Sequence, residues 1–261
     1  MGKEQPTVLL HSSSNGVKPS NTRFFESNLD YVARGFDELG YRIIPFDLEA
    51  LGQEKHLSIG NPVKGTVKAV HKAFELLGLP LYPNIDIPDS IREFAHRELW
   101  TSTIGELVDN FEKYAGKVFI KPLEVQKAFR GTAVGWTQGW QKVKQYPRDF
   151  KVLCQENVFF YANEYRVHVF HGKILETNEY SFPNQNAKRK VLSFAKKVIK
   201  AYKDAPVAYV LDVGEMRKND NEKSVMVVVE TNEVLTAQLY CDPKMAALMV
   251  QARWRELTEN E

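Results

Sequence analysis

Ala208-Tyr209-Val210-Leu211-Asp212-Val213 and Val225-Met226-Val227-Val228-Val229-Glu230-Thr231-Asn232 are two apolar runs flanking a polar tip at Asn219-Asp220-Asn221. Both runs are rich in β-branched residues, so each reads as a strand and the tip as a hairpin turn. A hairpin folded about residue 221 sets Asp212 opposite Glu230, since both are equidistant from that point. Asn232 then shares the face of Glu230, because side chains alternate along a strand. The same alternation predicts Val227 and Val229 on the opposite face, with Met226 and Val228 beside Glu230. Two carboxylates and an amide thus converge on an otherwise apolar hairpin. Burying them is costly unless a cation shares them, and an all-oxygen set suits Mg²⁺ with phosphate oxygens completing the shell. The competing reading is a hydrated polar sheet face.

Outward from that hairpin, composition sets bounds. A chain of 261 residues with 43% hydrophobic content makes one large domain or two modest ones. A formal net charge of +2 is too balanced to imply nucleic acid or an anionic membrane. Cys154 and Cys241 lack metal-type spacing and read as buried thiols in a reducing compartment. No apolar run reaches membrane-spanning length and the first residues carry no signal-peptide pattern, so a cytoplasmic protein is expected. There is no internal repeat and no low-complexity segment.

Near the N-terminus, Thr7–His11 reads as a strand and Phe24, Phe25, Leu29, Val32, Ala33, Phe36 and Leu39 recur at helical spacing, with Gly40 placed to end the helix. Tyr41–Phe46 follows as a strand, which makes a βαβ unit with a parallel pair. A helix at 67–77 completes a small α/β module, and Asn84–Asp89 reads as a joint. Beyond it helical segments are expected, with Thr103 and Glu106 at capping-box spacing. Lys117–Pro122, Val152–Gln155, Glu164–Phe170 and Ile174–Glu176 read as strands. Residues 187–203 have the pattern of an amphipathic helix lying on a sheet, its seven basic residues forming the wet side.

Several of these elements carry groups suited to phosphate chemistry. Lys121 closes a strand and is followed by Lys127-Ala128-Phe129-Arg130-Gly131-Thr132-Ala133-Val134-Gly135. Glycines in such a turn let backbone N–H groups approach an anion, and the cations neutralise its charge. A solvent-exposed basic hairpin has the same composition. Glu164 and Arg166 share a strand face, suiting ribose and phosphate respectively, or equally an ion pair within the sheet. His168 lies on that face and reads as structural. Trp136, Trp140, Phe159, Phe160 and Tyr161 read as core or pocket lining. There is no Walker lysine loop, Ser-His-Asp order or Cys/His metal spacing.

Taken in order, these pieces resemble the ATP-grasp superfamily. The resemblance implies a mixed α/β and α+β protein in which two α+β subdomains sandwich ATP behind a small pre-ATP-grasp α/β domain, divided here into residues 1–85 and 86–261. It implies that Lys121 reaches the nucleotide, that the 129–135 loop covers its phosphates, and that Gln155, Glu156 and Val158 form the hinge beside adenine. Glu164 and Arg166 match the acidic-then-arginine strand, and Asp212, Glu230 and Asn232 the paired metal strands. More narrowly, Arg97, Lys127 and Arg166 resemble the residues that name a clade for two arginines and a lysine, and would be its catalytic groups. The loop departs from the better-known ligases in lacking their Gly-Ser-rich character.

The resemblance further implies ATP and Mg²⁺ as cofactors, small-molecule or peptide carboxylate and amine substrates, and amide formation through an acyl phosphate. A phosphotransferase on the same fold and a non-catalytic nucleotide-binding module are the competing expectations. The pre-ATP segment His11–Asn15 with Lys18 is a candidate substrate-pocket lining.

Overall fold

A computed structural model describes residues 5–11, 28–179, 185–217 and 223–259. The chain begins with β1 (Thr7–His11), α1 (Asn28–Glu38), β2 (Arg42–Phe46), β3 (Val63–Lys64) and α2 (Val67–Leu76). β1 lies between β2 and β3, and both pairs are parallel, as a βαβ connection requires. Gly40 ends the first helix with φ at +77°, the Tyr41 amide reaching back to the Phe36 carbonyl. The two-residue β3 was not legible in the sequence. Phe24, Phe25, residues 12–18 and the hairpin tip at 219–221 lie outside the described residues.

The middle of the chain holds β4 (Leu99–Thr103), α3 (Ile104–Asp109), α4 (Phe111–Tyr114), β5 (Val118–Pro122), β6 (Thr132–Ala133), α5 (Gln138–Val143) and β7 (Lys151–Glu156). Its sheet runs β4-β7-β5-β6 and is antiparallel throughout. The sequence reading of this region as helical is half right. Asp89–Ala95 is a 3₁₀ helix, but Leu99–Thr103 is a strand that pairs with β7. Thr103 Oγ1 accepts from the Glu106 amide at 3.2 Å, so the expected cap is present.

The C-terminal half comprises β8 (Phe159–Phe170), β9 (Lys173–Glu179), α6 (Gln185–Ala201), β10 (Ala208–Arg217), β11 (Val225–Glu233) and α7 (Pro243–Thr258). Its sheet, β11-β10-β8-β9, is also antiparallel. Val191, Ala195 and Val198 of α6 pack on Tyr209, Leu211, Val213 and Val228, which is the predicted amphipathic seating. A separate cluster joins the first 82 residues to the end of the chain: Val8, Phe36 and Phe74 share one core with Val234, Met249 and Trp254. Cys154 and Cys241 are free and buried, and burial pushes both thiols up to about 12. Trp140 is buried as expected. Trp136 is 85% exposed, against its reading as core or lining, because it follows the β6 turn and meets Phe111 only at a ring edge. Among the described residues no helix is long and apolar enough to cross a membrane.

Candidate functional site in the cleft between the two antiparallel sheets

The hairpin places Asp212 directly opposite Glu230 and Val210 opposite Asn232. Between these pairs and the tip the register slips by one, because β11 carries an extra residue at Val229. That bulge inverts the alternation beyond it. Val228 pairs with Val213 and enters the α6 core, while Val227 pairs with Gly214 on the face of Asp212. The expected face assignment of Val227 and Val228 is therefore reversed. The site-bearing pairs lie on the far side of the bulge and are unaffected.

The three side chains meet. Asn232 Nδ2 donates to Asp212 Oδ2 and to Glu230 Oε1, both at 3.0 Å. Across the sheet one row reads Asn178, Arg166, Asp212, Glu230, and the next Glu176, His168, Val210, Asn232. Arg166 grips Asp212 in a fork, Nε to Oδ1 at 2.9 Å and Nη2 to Oδ2 at 2.6 Å. The ion pair read for Arg166 is thus real, but its partner is the cross-strand aspartate rather than Glu164. Glu164 is half-buried beside them; burial, then Asp212 and Glu230, push its pKa up. Burial also raises Asp212, opposed by Arg166.

Lys121 arrives from β5 and bridges the cleft. Its Nζ lies 2.6 Å from Glu230 Oε2 and 3.0 Å from Asp86 Oδ1. Burial lowers the lysine pKa, but the two carboxylates outweigh it and hold the ammonium charged. Burial likewise raises Glu230, yet Lys121 and the Asn232 amide bring it below the usual carboxylate range. Asp86 is raised, burial being the main cause and Glu230 a contributor. Sequence reasoning treated Asp86 only as part of a joint. The signal available was an acid between two isoleucines before a proline, Ile85-Asp86-Ile87-Pro88.

A cavity of about 660 Å³ opens here, lined by Lys121, Lys127, Arg166, Glu230 and Asn232 among the expected residues, with Asp86 added. Arg97, Gln155, Glu156, Val158, Glu164 and Asp212 do not line it; Asp212 is buried just behind Glu230 and Asn232. Arg97 is buried: Nε donates to Gln155 Oε1 at 3.0 Å, Nη1 to the Val228 carbonyl at 2.8 Å, and Nη2 to the Val229 carbonyl at 2.9 Å. It thereby ties one sheet to the bulge of the other, and burial lowers its pKa to about 10. Gln155 is correspondingly buried, whereas Glu156 and Val158 are half-buried at the end of β7 and just after it. Lys127 is exposed at the tip of the loop after β5, in a left-handed conformation with φ at +53°. That loop is anchored by Phe129 against Tyr146 and Phe150, and by Gly131, where a Cβ would sit 2.7 Å from the Phe119 ring. His11 is buried at the end of β1, in the N-terminal sheet itself, and is not part of the lining.

Among the described residues no three His, Cys, Asp or Glu side chains gather as a metal centre. The residue types here, two carboxylates and one amide, are those of incompletely filled oxygen sites where phosphate or water supplies the rest, once the amide turns its oxygen inward in place of the Nδ2 that donates to both carboxylates. The residues therefore fit Mg²⁺.

Residues 94–249, more than half of the chain, match the model for the second family of the ATP-grasp clade named for two arginines and one lysine. The chain belongs to that clade of ATP-grasp domains. The structure of D-alanine–D-alanine ligase from Bacillus anthracis complexed with ATP is similar over 99% of this chain and 100% of its own, at 14% identity and a TM-score of 0.51. A RimK domain ATP-grasp protein from Sphaerobacter thermophilus is similar over 97% of this chain and 100% of its own, at 11% identity and a TM-score of 0.52. At such identities the likeness shows the fold alone. No curated protein matches the sequence.

Proposed function

We propose that this ATP-grasp protein is an ATP-dependent carboxylate–amine ligase. The observation that carries the reading is that Glu230, Asn232, Lys121 and Arg166 line one cavity, with Asp212 buried directly behind them in contact with Asn232 and Arg166. A site with both fixed cations and cation-binding oxygens suits a triphosphate and its metal. The ATP in the similar D-alanine–D-alanine ligase structure supports the same ligand here. The nucleotide would lie between the two antiparallel sheets, its adenine toward Gln155, Glu156 and Val158 and its ribose toward Glu164. Asp212, Glu230 and the Asn232 amide oxygen would hold Mg²⁺, which supplies charge neutralisation at the phosphates.

The chain's own residues would do the rest. Lys121, Lys127 and Arg166 neutralise the oxygens of the moving phosphoryl group. The substrate carboxylate attacks the γ-phosphorus as the bond to the β-phosphate oxygen breaks, giving an acyl phosphate and ADP. An amine then forms the C–N bond as the C–O bond to phosphate breaks, releasing phosphate and a proton. The loop carrying Lys127 and Gly131 excludes water from the acyl phosphate. Arg97 acts from behind, fixing Gln155 and the bulge. No protein nucleophile is required.

Mass spectrometry after incubation with Mg·ATP and pooled amino acids and short peptides tests this. A product one water lighter than two reactants combined, formed together with ADP, is expected. A stable phosphorylated reactant instead would make the protein a phosphotransferase, and binding without ADP formation a non-catalytic module.

A further inference from the structure

One wall of the cavity is a turn with almost no regular secondary structure, the segment that follows β11 and supplies Thr236, Ala237 and Gln238 to the lining. Its backbone is held by groups distant in sequence. Lys64 Nζ donates to the carbonyls of Val234 at 2.9 Å and Ala237 at 2.7 Å, and the neighbouring Gly65 amide donates to the Leu235 carbonyl at 3.1 Å. Two adjacent residues at the end of β3 thus take three of the turn's carbonyls. Lys64 is only 2% exposed, and burial pushes its pKa down to about 7 against the pull of Glu233. An ammonium is not buried in an apolar core without such partners. Gly65 has no latitude either, since a Cβ there would lie 2.4 Å from the His11 Cβ. On the cleft side, Arg166 Nη1 donates to the Gln238 carbonyl at 3.0 Å, and the Tyr240 amide donates to His168 Nε2 at 3.0 Å.

We propose that Lys64 is a positioning residue for the cleft: from the N-terminal sheet, its Nζ donors fix the Val234–Gln238 turn as the wall against which the substrate carboxylate and amine are aligned. The proposal rests on the ligase reading for what the wall admits. It goes beyond that reading in giving the N-terminal module a role in the reaction. Lys64 touches neither the cavity nor the metal-suited oxygens, so it acts only through the turn. Its loss should spare the nucleotide and disturb the second half of the chemistry.

The test uses the full chain and its Lys64→Met variant, which keeps the unbranched bulk and removes the donors. Three readouts are taken: amide hydrogen exchange over 235–240, calorimetric binding of Mg²⁺ with a non-hydrolysable ATP analogue, and ADP release with the reactants found by mass spectrometry. Exchange in the turn should speed up by at least about 10-fold, because the loop loses its side-chain anchors. Nucleotide affinity should stay unchanged while turnover falls by about 100-fold, the scale of a small misplacement of reacting groups. Unchanged exchange overturns the proposal. Faster exchange with normal turnover also overturns it, since Lys64 would then be merely structural, as does a matching loss of nucleotide affinity. A native chain that never turns over ATP sinks the ligase reading, and the exchange arm then decides alone whether Lys64 holds the turn. Should Lys64→Met fail to fold, native exchange decides: turn amides as fast as those of the Leu123–Arg130 loop overturn the inference, and slow ones support it.

Discussion

In the sheet β11-β10-β8-β9 the charges Arg166, Asp212 and Glu230 stand in one row, so the first two partner each other within the plane. In β4-β7-β5-β6 the polar side chains Lys121 and Gln155 are met from outside their sheet, by Asp86, Glu230 and Arg97. The first arrangement depends only on strand register, and β8 and β10 are 12 and 10 residues long. The second depends on how the two sheets approach each other. One side of the cleft is therefore fixed by backbone pairing, while the other is adjustable through a few side-chain bridges.

The largest effect should come from breaking the row itself. Asp212→Ala strands the buried Arg166 guanidinium, and unfolding measurements should report a loss of about 3–5 kcal/mol together with absent turnover. A variant with native stability would show that Arg166 re-partners and that the row is not rigid. Next comes Glu230→Gln, which keeps the shape and the Asp86 bridge to Lys121. Turnover of ATP should fall by at least about 10²-fold with melting little changed, in line with losing one charged ligand of the cation that neutralises the reacting phosphate. Normal turnover would remove Glu230 from the proposed metal set.

How much of this contrast could be read from the sequence follows the same division. The C-terminal hairpin was legible because its two runs are long, β-branched and symmetric about one tip, so Asp212 and Glu230 could be paired by counting. Counting failed at Val227 and Val228, where a single bulged residue leaves no trace in an all-valine run. In the other sheet, β6 is two residues long, and Leu99–Thr103 leads straight into a capped helix, so neither displays an alternation to detect. Lys121 was found because its strand is apolar and ends in proline. The engagement of Asp86 was hidden, since its partner Lys121 is 35 residues away and meets it only through tertiary closure. The same holds for Arg97, two of whose carbonyl partners, on Val228 and Val229, lie 131 and 132 residues away at the bulge.

A smaller effect sharpens the comparison through pH. His168 stands in the second row of the C-terminal sheet; burial, then Arg166, lowers its pKa to about 4, and its Nε2 must stay unprotonated to accept from Tyr240. The unfolded chain therefore binds more protons than the folded one between pH 4 and 6.5, and stability rises with pH across that window. Chemical denaturation at both ends of the window should show a loss on acidification on the order of 3 kcal/mol, absent from His168→Gln. An equal slope in both proteins would assign the acid sensitivity elsewhere. Smallest of all is Thr103→Ala at the cap of α3 in the adjustable sheet, where about 1 kcal/mol is expected in thermal melts with the C-terminal sheet untouched.

The extra residue at Val229 has a consequence for how this fold can vary. Because the slip lies between the site and the hairpin tip, the outer end of the hairpin can gain or lose length in evolution without disturbing the ladder that aligns Asp212 with Glu230. Arg97 clasps the carbonyls at that same spot and Lys121 reaches Glu230 on its other side, so the two sheets are tied together both at the slip and at the site. A defect in one strand thus doubles as an anchor for the facing sheet.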